Sequence, residues 1–315
     1  MAVRQLLVYC GGADSAGTGY ALKHAIDGYG PGWEARAIRR KNSWLDYPAD
    51  VTWPKGGMDL KTPKLAQRLF DESDVVQIMQ VPKTVRVFRN WKRKPLVVAQ
   101  IGTYLRNNPA KVCRDVRSIG ATHVVNSLEL LNLAPDAELL LWTVDLDLLV
   151  RLREEHRRPP DDRIVIYHSP TNRAIKSTEA FIAATKRLAK RYPIDVQVVE
   201  GVPWMENLRR KAAADIVFDE VKLGYGLNSA EAWAMKIPAL VGLVDPGARE
   251  MFMDRYGGFP YPDTTEETIE ERLEELIVSE EAREHWADIG YRFVQENHAE
   301  SVVAPQAVAL YERLL

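Results

Sequence analysis

Cysteine is nearly absent from this chain: Cys10 and Cys113 are the only two in 315 residues. Two thiols with no second thiol near either make neither a disulfide framework nor a metal knuckle, which excludes a small stapled scaffold. Long hydrophobic runs are missing too. Stretches such as 139–144 fall far short of the ~20 apolar residues that span a bilayer. Residues 1–10 run into Gly11-Gly12 without the long apolar segment and small-residue cleavage site of a secretory signal. No solenoid repeat and no low-complexity tract breaks the pattern. The expectation is a reduced, soluble, cytoplasmic protein with no transmembrane segment.

What is present is ordinary in amount and uneven in placement. Hydrophobic residues at 46% and charged residues at 27% suit a globular protein, and the length suggests two domains. Residues 1–158 carry 24 Lys and Arg against 17 Asp and Glu, whereas the remainder carries 18 against 27. A basic half joined to an acidic half speaks of partners rather than of fold. The cations cluster with aromatic side chains between them: Arg39 and Arg40 near Trp44, then Arg89, Trp91, Lys92 and Arg93. A solvated face explains such a stripe, and so does an anionic acceptor, either nucleic acid or a phospholipid surface.

Short apolar runs alternate with helical segments throughout. Strands are expected at 4–10, 35–38, 75–79, 96–101, 123–125 and 139–143, with a helix at 13–27 after a glycine turn. A charged, proline-containing break at 157–162 is the best linker in the chain. Beyond it, strands at 163–167, 195–199, 215–218 and 239–243 alternate with helices at 177–191, 204–213 and 228–235. Helices at 266–278, 280–297 and 302–314 follow. Continuous β-rich runs separated by helices indicate parallel sheets covered on both faces. The fold class expected is α/β, two doubly wound Rossmann-like domains facing each other across a cleft. Domain boundaries fall at 1–158 and 163–299, with a helix at about 300–315 packing back onto the first domain.

Two segments carry the chemistry. The first, running from His168 through Asn172, Arg173, Lys176 and Ser177 to Glu179, follows a strand and opens a helix. It brings two cations and several polar donors to a strand's carboxyl end beside a helix amino terminus, the environment a diphosphate needs. The second follows the strand at 215–218: Gly224-Tyr225-Gly226, then a helix expected to carry Glu231 in its first turn. A carboxylate so placed can accept from a ribose diol, or can merely complement the helix dipole.

In this order and spacing the two segments resemble the C-terminal domain of the GT-B-type retaining glycosyltransferases of nucleotide-sugar family 4. The resemblance is specific over 163–243 and weaker elsewhere. It implies that Arg173 and Lys176 bind the donor diphosphate and that Glu231 binds ribose. The backbone N–H groups of Leu227, Asn228 and Ser229, after Gly226, would face the phosphates, with His168 and Asn172 beside them. Gly11 and Gly12 resemble the family's flexible turn after its first strand, and Asp14 near them is a candidate for orienting the acceptor hydroxyl. The family's paired glutamates, eight residues apart, are here reduced to one, because Leu223 stands at the earlier position. Ile101-Gly102 replaces its His-Gly. Nucleotide binding survives these departures better than the sugar contacts do.

Retaining transfer builds charge on the departing diphosphate, and Arg173 with Lys176 would stabilise it. No metal cofactor is then required, and Asp145-Leu146-Asp147 is assigned to the segment before the linker. The donor is expected to be a nucleoside-diphosphate sugar. The acceptor would meet the basic half through Arg39, Arg40, Arg89, Trp91, Lys92 and Arg93, with hydroxymethylated DNA, an anionic lipid or a phosphosugar as candidates. Three rival readings stand beside this one. A dinucleotide enzyme is disfavoured because Gly11, Gly12, Gly17 and Gly19 have the wrong spacing. A sugar-nucleotide epimerase or hydrolase on the same fold, and a non-catalytic nucleotide-sugar or nucleic-acid binding module, complete the set.

Overall fold

The computed structural model describes residues 2–53, 61–159 and 162–315, so Pro160 and Asp161 of the expected linker lie outside the described residues. The chain divides into two units, Met1–Thr143 with Ala299–Leu315, and Val144–His298.

Unit 1 contains the strands β1 (Arg4–Cys10), β2 (Trp33–Arg39), β3 (Val51–Thr52), β4 (Val75–Met79), β5 (Leu96–Gln100), β6 (Thr122–Val125) and β7 (Glu138–Leu139). They form one parallel sheet in the order β3-β2-β1-β4-β5-β6-β7. Its helices are α1 (Thr18–Tyr29), α2 (Lys61–Glu72), α3 (Thr103–Asn107) and α4 (Pro109–Ser118). Alternate strand residues feed two cores, as a period of two requires. Leu6, Val8, Ala99 and Val124 pack with Leu22 and Ile26 of α1, while Leu7, Tyr9, Ile78 and Val98 pack with Phe70 of α2 and Val116 of α4.

The expected helix at 13–27 begins later, at Thr18. Asp14 remains outside it and accepts from the backbone N–H groups of Gly19 (3.0 Å) and Tyr20 (2.8 Å). Gly17 takes a left-handed φ of 65° against the Tyr47 ring, which a side chain there would strike. The expected strand at 139–143 shrinks to Glu138–Leu139. Leu140 still donates to Val125 at 2.9 Å, but its own carbonyl is taken by the Asn126 side-chain amide, which ends the ladder.

Unit 2 opens with α5 (Leu146–His156), capped by Asp145, which accepts from Leu148 N–H at 2.9 Å. It continues as β8 (Ile164–His168), α6 (Thr178–Leu188), β9 (Ile194–Val198), α7 (Trp204–Ala212), β10 (Ile216–Glu220), α8 (Leu227–Ala234) and β11 (Ala239–Val241). Three helices follow, α9 (Pro246–Tyr256), α10 (Ile269–Val278) and α11 (Glu280–Asn297). The sheet order is β11-β10-β8-β9, all parallel. The division between units therefore falls before α5 rather than at 157–162. Arg153 shows why: its guanidinium donates to the carbonyls of Ala212 (2.5 Å) and Ala214 (2.9 Å) in unit 2.

The chain then supplies α12 (Glu300–Glu312) to unit 1, where Val303, Ala304, Ala307 and Val308 join the α1-side core. The Tyr311 hydroxyl donates to Gln77 Oε1 at 2.6 Å, and the Trp33 indole donates to Glu312 at 2.9 Å. Burial of each large apolar side chain contributes ~1.5–3 kcal/mol, so α12 is a structural part of unit 1.

Candidate functional site

In parallel α/β sheets, ligands collect outside the carboxyl ends of the strands. In unit 2 that edge is built by the loop from β8 to α6 and the loop from β10 to α8. The first loop is a compact turn: Asn172 Oδ1 accepts from the N–H groups of Ala174 (3.1 Å) and Ile175 (3.3 Å), and its carbonyl accepts from Lys176 N–H. Ser177 takes a left-handed φ of 47° and turns the chain into α6. Asn172 is thus a turn former on an exposed loop.

The turn aims Lys176 inward. Its ammonium lies 2.6 Å from Asp219 Oδ1 and 3.8 Å from Glu220 Oε1 at the end of β10. It also stands 3.7 Å from where a side-chain carbon on Gly226 would be, at the amino end of α8. Asp219 Oδ2 accepts from the Ser229 hydroxyl (2.6 Å) and the Gly226 N–H (3.2 Å). Burial pushes the Asp219 carboxyl up, but the Lys176 ammonium, the Ser229 hydroxyl and the Lys211 charge outweigh it and hold it below the ordinary value. Leu227, Asn228 and Ser229 form the first turn of α8, whose N–H groups have no acceptor within the helix. Asn228 Oδ1 accepts from the Ser169 hydroxyl at 3.0 Å.

Arg173 does not converge with these groups. Its guanidinium is held at the surface by Glu179 and Glu200, both at 2.8 Å. Glu231 is nearly buried in α8. One oxygen is ion-paired with Lys211 of α7, and the other accepts from the Trp204 indole at 2.9 Å. The carboxylate expected to reach a ribose diol is therefore already engaged on both oxygens. His168 departs furthest from expectation. It is fully buried, with Nδ1 on the Phe218 carbonyl (2.9 Å) and Nε2 on the Thr178 hydroxyl (2.8 Å), against the rings of Phe181 and Phe218. Burial pushes its pKa down to about 4, and both ring nitrogens already have partners within unit 2.

Asp219, Lys211 and Trp204 are the residues that sequence reasoning passed over. Lys211 had a legible signal: it falls three residues after buried Leu208, on the apolar stripe of α7, where a cation requires a buried carboxylate.

Unit 1 separates the remaining candidates. Gly11 and Gly12 end β1 at the carboxyl edge; Gly11 abuts the Thr84 side chain, whereas a side chain on Gly12 would meet open space. The Gly12 carbonyl accepts from the N–H groups of Arg40 and Lys41. Asp14 lies beneath them as the cap of α1. Burial raises its pKa, partly offset by the Gly19 and Tyr20 N–H groups. Arg39 is buried, with its guanidinium on the Thr52 hydroxyl (3.0 Å) and the Tyr47 carbonyl, so it braces the loop rather than facing an acceptor. Arg40 stacks over Trp53 at 4.6 Å. Arg89, Trp91, Lys92 and Arg93 lie elsewhere. They precede Pro95, whose carbonyl meets Val76 N–H at the amino ends of β4 and β5. There Arg86 and Lys92 each stand 5.7 Å from the Trp91 ring. The basic residues expected to form one acceptor face thus occupy opposite edges of the sheet.

A cavity of about 820 Å³ opens at the amino edge of unit 2, lined by Arg153, Arg163, Asp215, Lys236 and Tyr291 among others. Among its cations, Arg153 is held by the Ala212 and Ala214 carbonyls, Arg158 by Asp215 and Lys236 by Asp288. No helix among the described residues is long and apolar enough to cross a membrane.

Comparison with solved structures shows a fold shared by several glycosyltransferases and by a putative UDP-N-acetylglucosamine 2-epimerase. An alpha-glucosyltransferase in complex with UDP-glucose and DNA containing an abasic site matches with a TM-score of 0.65 at 12% identity, covering 99% of this chain and 100% of that one. Sucrose-phosphate synthase from Thermosynechococcus elongatus matches with a TM-score of 0.65 at 14% identity, covering 99% of each chain. Anabaena HepE in complex with UDP and glucose matches with a TM-score of 0.64 at 15% identity, covering 99% of this chain and 100% of that one. No protein-family model and no curated protein matches the sequence.

Proposed function

We propose that the protein is a glycosyltransferase that moves a sugar from a nucleoside-diphosphate donor to a hydroxyl acceptor, with retention at the transferred carbon. The observation that carries this reading is the meeting of the Lys176 ammonium with the glycine-led amino end of α8. A cation beside a helix amino terminus, whose first N–H groups lack acceptors within the helix, suits a diphosphate. They would stabilise charge developing on the departing diphosphate, an electrostatic role that needs no rearrangement during the reaction. Arg173 would join only by leaving Glu179 and Glu200. Glu231 would act mainly by holding Trp204 and α7 against α8. Structures of similar fold that hold UDP or UDP-glucose support a uridine diphosphate donor.

For the acceptor, the basic half and the DNA complex of the similar alpha-glucosyltransferase favour nucleic acid over a lipid surface. Arg40 and Lys41, beside Gly12, would face it at the carboxyl edge. Arg89, Lys92 and Arg93 would hold only an acceptor long enough to pass the amino edge. A binding module without turnover is the second reading. It is favoured by Leu223, tied by an antiparallel bridge to Leu243 where the resemblance calls for a glutamate.

The test is calorimetric titration with UDP, followed by hydrolysis and transfer assays with UDP-glucose and other nucleotide sugars, on plain and hydroxymethylated DNA. Micromolar UDP affinity with turnover is expected. Affinity without turnover of any donor selects the binding module, and no UDP affinity refutes both.

A further inference from the structure

We infer that Asp219 is a positioning residue for the donor diphosphate, clamping the Lys176 ammonium to the amino end of α8. The inference rests on the donor reading above. Asp219 lies where β10 loses register with β11: Phe218 pairs with Leu240 and Glu220 with Val241, leaving Asp219 as the extra residue. A register shift of this kind re-aims a side chain, and Phe218, Asp219 and Glu220 are all buried in succession. A carboxylate that is 1% exposed is costly unless its oxygens are occupied. Here one takes Lys176 and the other takes Ser229 and Gly226. A single group thereby ties the turn before α6 to the first turn of α8. Without it, the flexible four-carbon stem of Lys176 could swing toward Glu220 or into solvent.

Two roles for Asp219 differ in sign. As a mere counter-ion it competes with the phosphates, and removing its charge strengthens anion binding. As a clamp it sets the lysine in place, and removing its charge weakens binding. Its loss also takes the nearest negative charge from a lysine that is only 18% exposed, so the ammonium gives up its proton at lower pH.

The experiment compares wild type, Asp219→Asn and Asp219→Glu by calorimetric titration with UDP between pH 7 and 10, and follows Lys176 by side-chain NMR without nucleotide. Asp219→Asn is expected to bind UDP about tenfold more weakly at pH 7.5 and to lose affinity with rising pH earlier than wild type. Asp219→Glu is expected to recover part of the affinity. Lys176 is expected to titrate at lower pH in Asp219→Asn. Equal or tighter UDP binding by Asp219→Asn, or an unmoved Lys176 titration, overturns the inference. Should Asp219→Asn not melt cooperatively, Lys176→Met/Asp219→Asn is compared with Lys176→Met. Equal UDP affinity is then expected, and a further loss overturns the clamp. Wild-type protein that does not bind UDP overturns the donor reading and this inference with it, while the Lys176 titration still shows whether the two residues are coupled.

Discussion

Lys211, with none of its surface exposed, is ion-paired with Glu231, and the Trp204 indole closes on the second oxygen of the same carboxylate. The pair joins α7 to α8 beneath the candidate diphosphate site. Removing one partner strands a buried charge, so Lys211→Met should cost ~3–5 kcal/mol, whereas Lys211→Met/Glu231→Gln should recover most of it. Urea denaturation of both variants checks this. A single variant as stable as wild type would contradict the buried pairing.

Lys176 and Arg173 should behave differently although the resemblance treats them alike. Lys176→Met is expected to weaken UDP binding about tenfold to a hundredfold, the loss of a charge-assisted hydrogen bond. Arg173→Ala, at an exposed residue already paired with two glutamates, should change affinity about threefold or less. Titration calorimetry on the two variants decides, and a larger effect at Arg173 would reverse the assignment.

His168 gives the fold an acid-sensitive element. Its folded pKa of about 4 lies below the ordinary 6.5, so the unfolded chain binds the proton more readily. The stabilisation is complete above pH 6.5 and is lost as pH falls toward 4, up to about 3 kcal/mol in all. Denaturation midpoints at pH 7 and pH 4.5 should therefore converge in His168→Gln relative to wild type. Equal acid sensitivity in the two proteins would remove His168 as the cause.

The two glycines after β1 separate packing from function. A side chain on Gly11 would come within 2.3–2.5 Å of Thr84, whose hydroxyl is fixed to the Val81 carbonyl, so Gly11→Ala should destabilise by ~1–3 kcal/mol. Gly12→Ala meets open space and should leave stability within about 0.5 kcal/mol. A drop in transfer activity of Gly12→Ala at unchanged melting temperature would mark a close ligand approach there.

Lys92→Glu/Arg93→Glu should weaken binding to duplex DNA and flatten its dependence on salt, because each phosphate contact contributes ~0.9 to the logarithmic slope. Hydrolysis of UDP-glucose should be untouched. A salt slope equal to that of wild type would leave this edge as solvated surface.

Periodicity and composition made much of the fold legible. The strands Val75–Met79 and Arg4–Cys10 and the helix Glu280–Asn297 have the bounds their apolar patterns imply. Pattern failed where tertiary contacts decide. Asp14 reads as the inside of a helix, but its carboxylate caps one instead, and Leu140 ends a ladder because the side chain of Asn126, just after β6, takes its carbonyl. At the site, the placement of Lys176 after a strand and before a helix was readable. The partners that set its chemistry were not, since Asp219 reaches it across 43 residues and Lys211 reaches Glu231 across 20. Such pairs depend on a register shift in β10 and on how α7 packs against α8, neither of which has a local sequence period.

Unit 1 is discontinuous, and this imposes an order on its birth. Its seven strands leave the ribosome early, yet Trp33 and Gln77 wait for Glu312 and Tyr311, more than two hundred residues later. Until α12 is made, the apolar side chains of β1 and α1 that it covers have no partner from that helix, so the closing step of unit 1 comes at the end of synthesis.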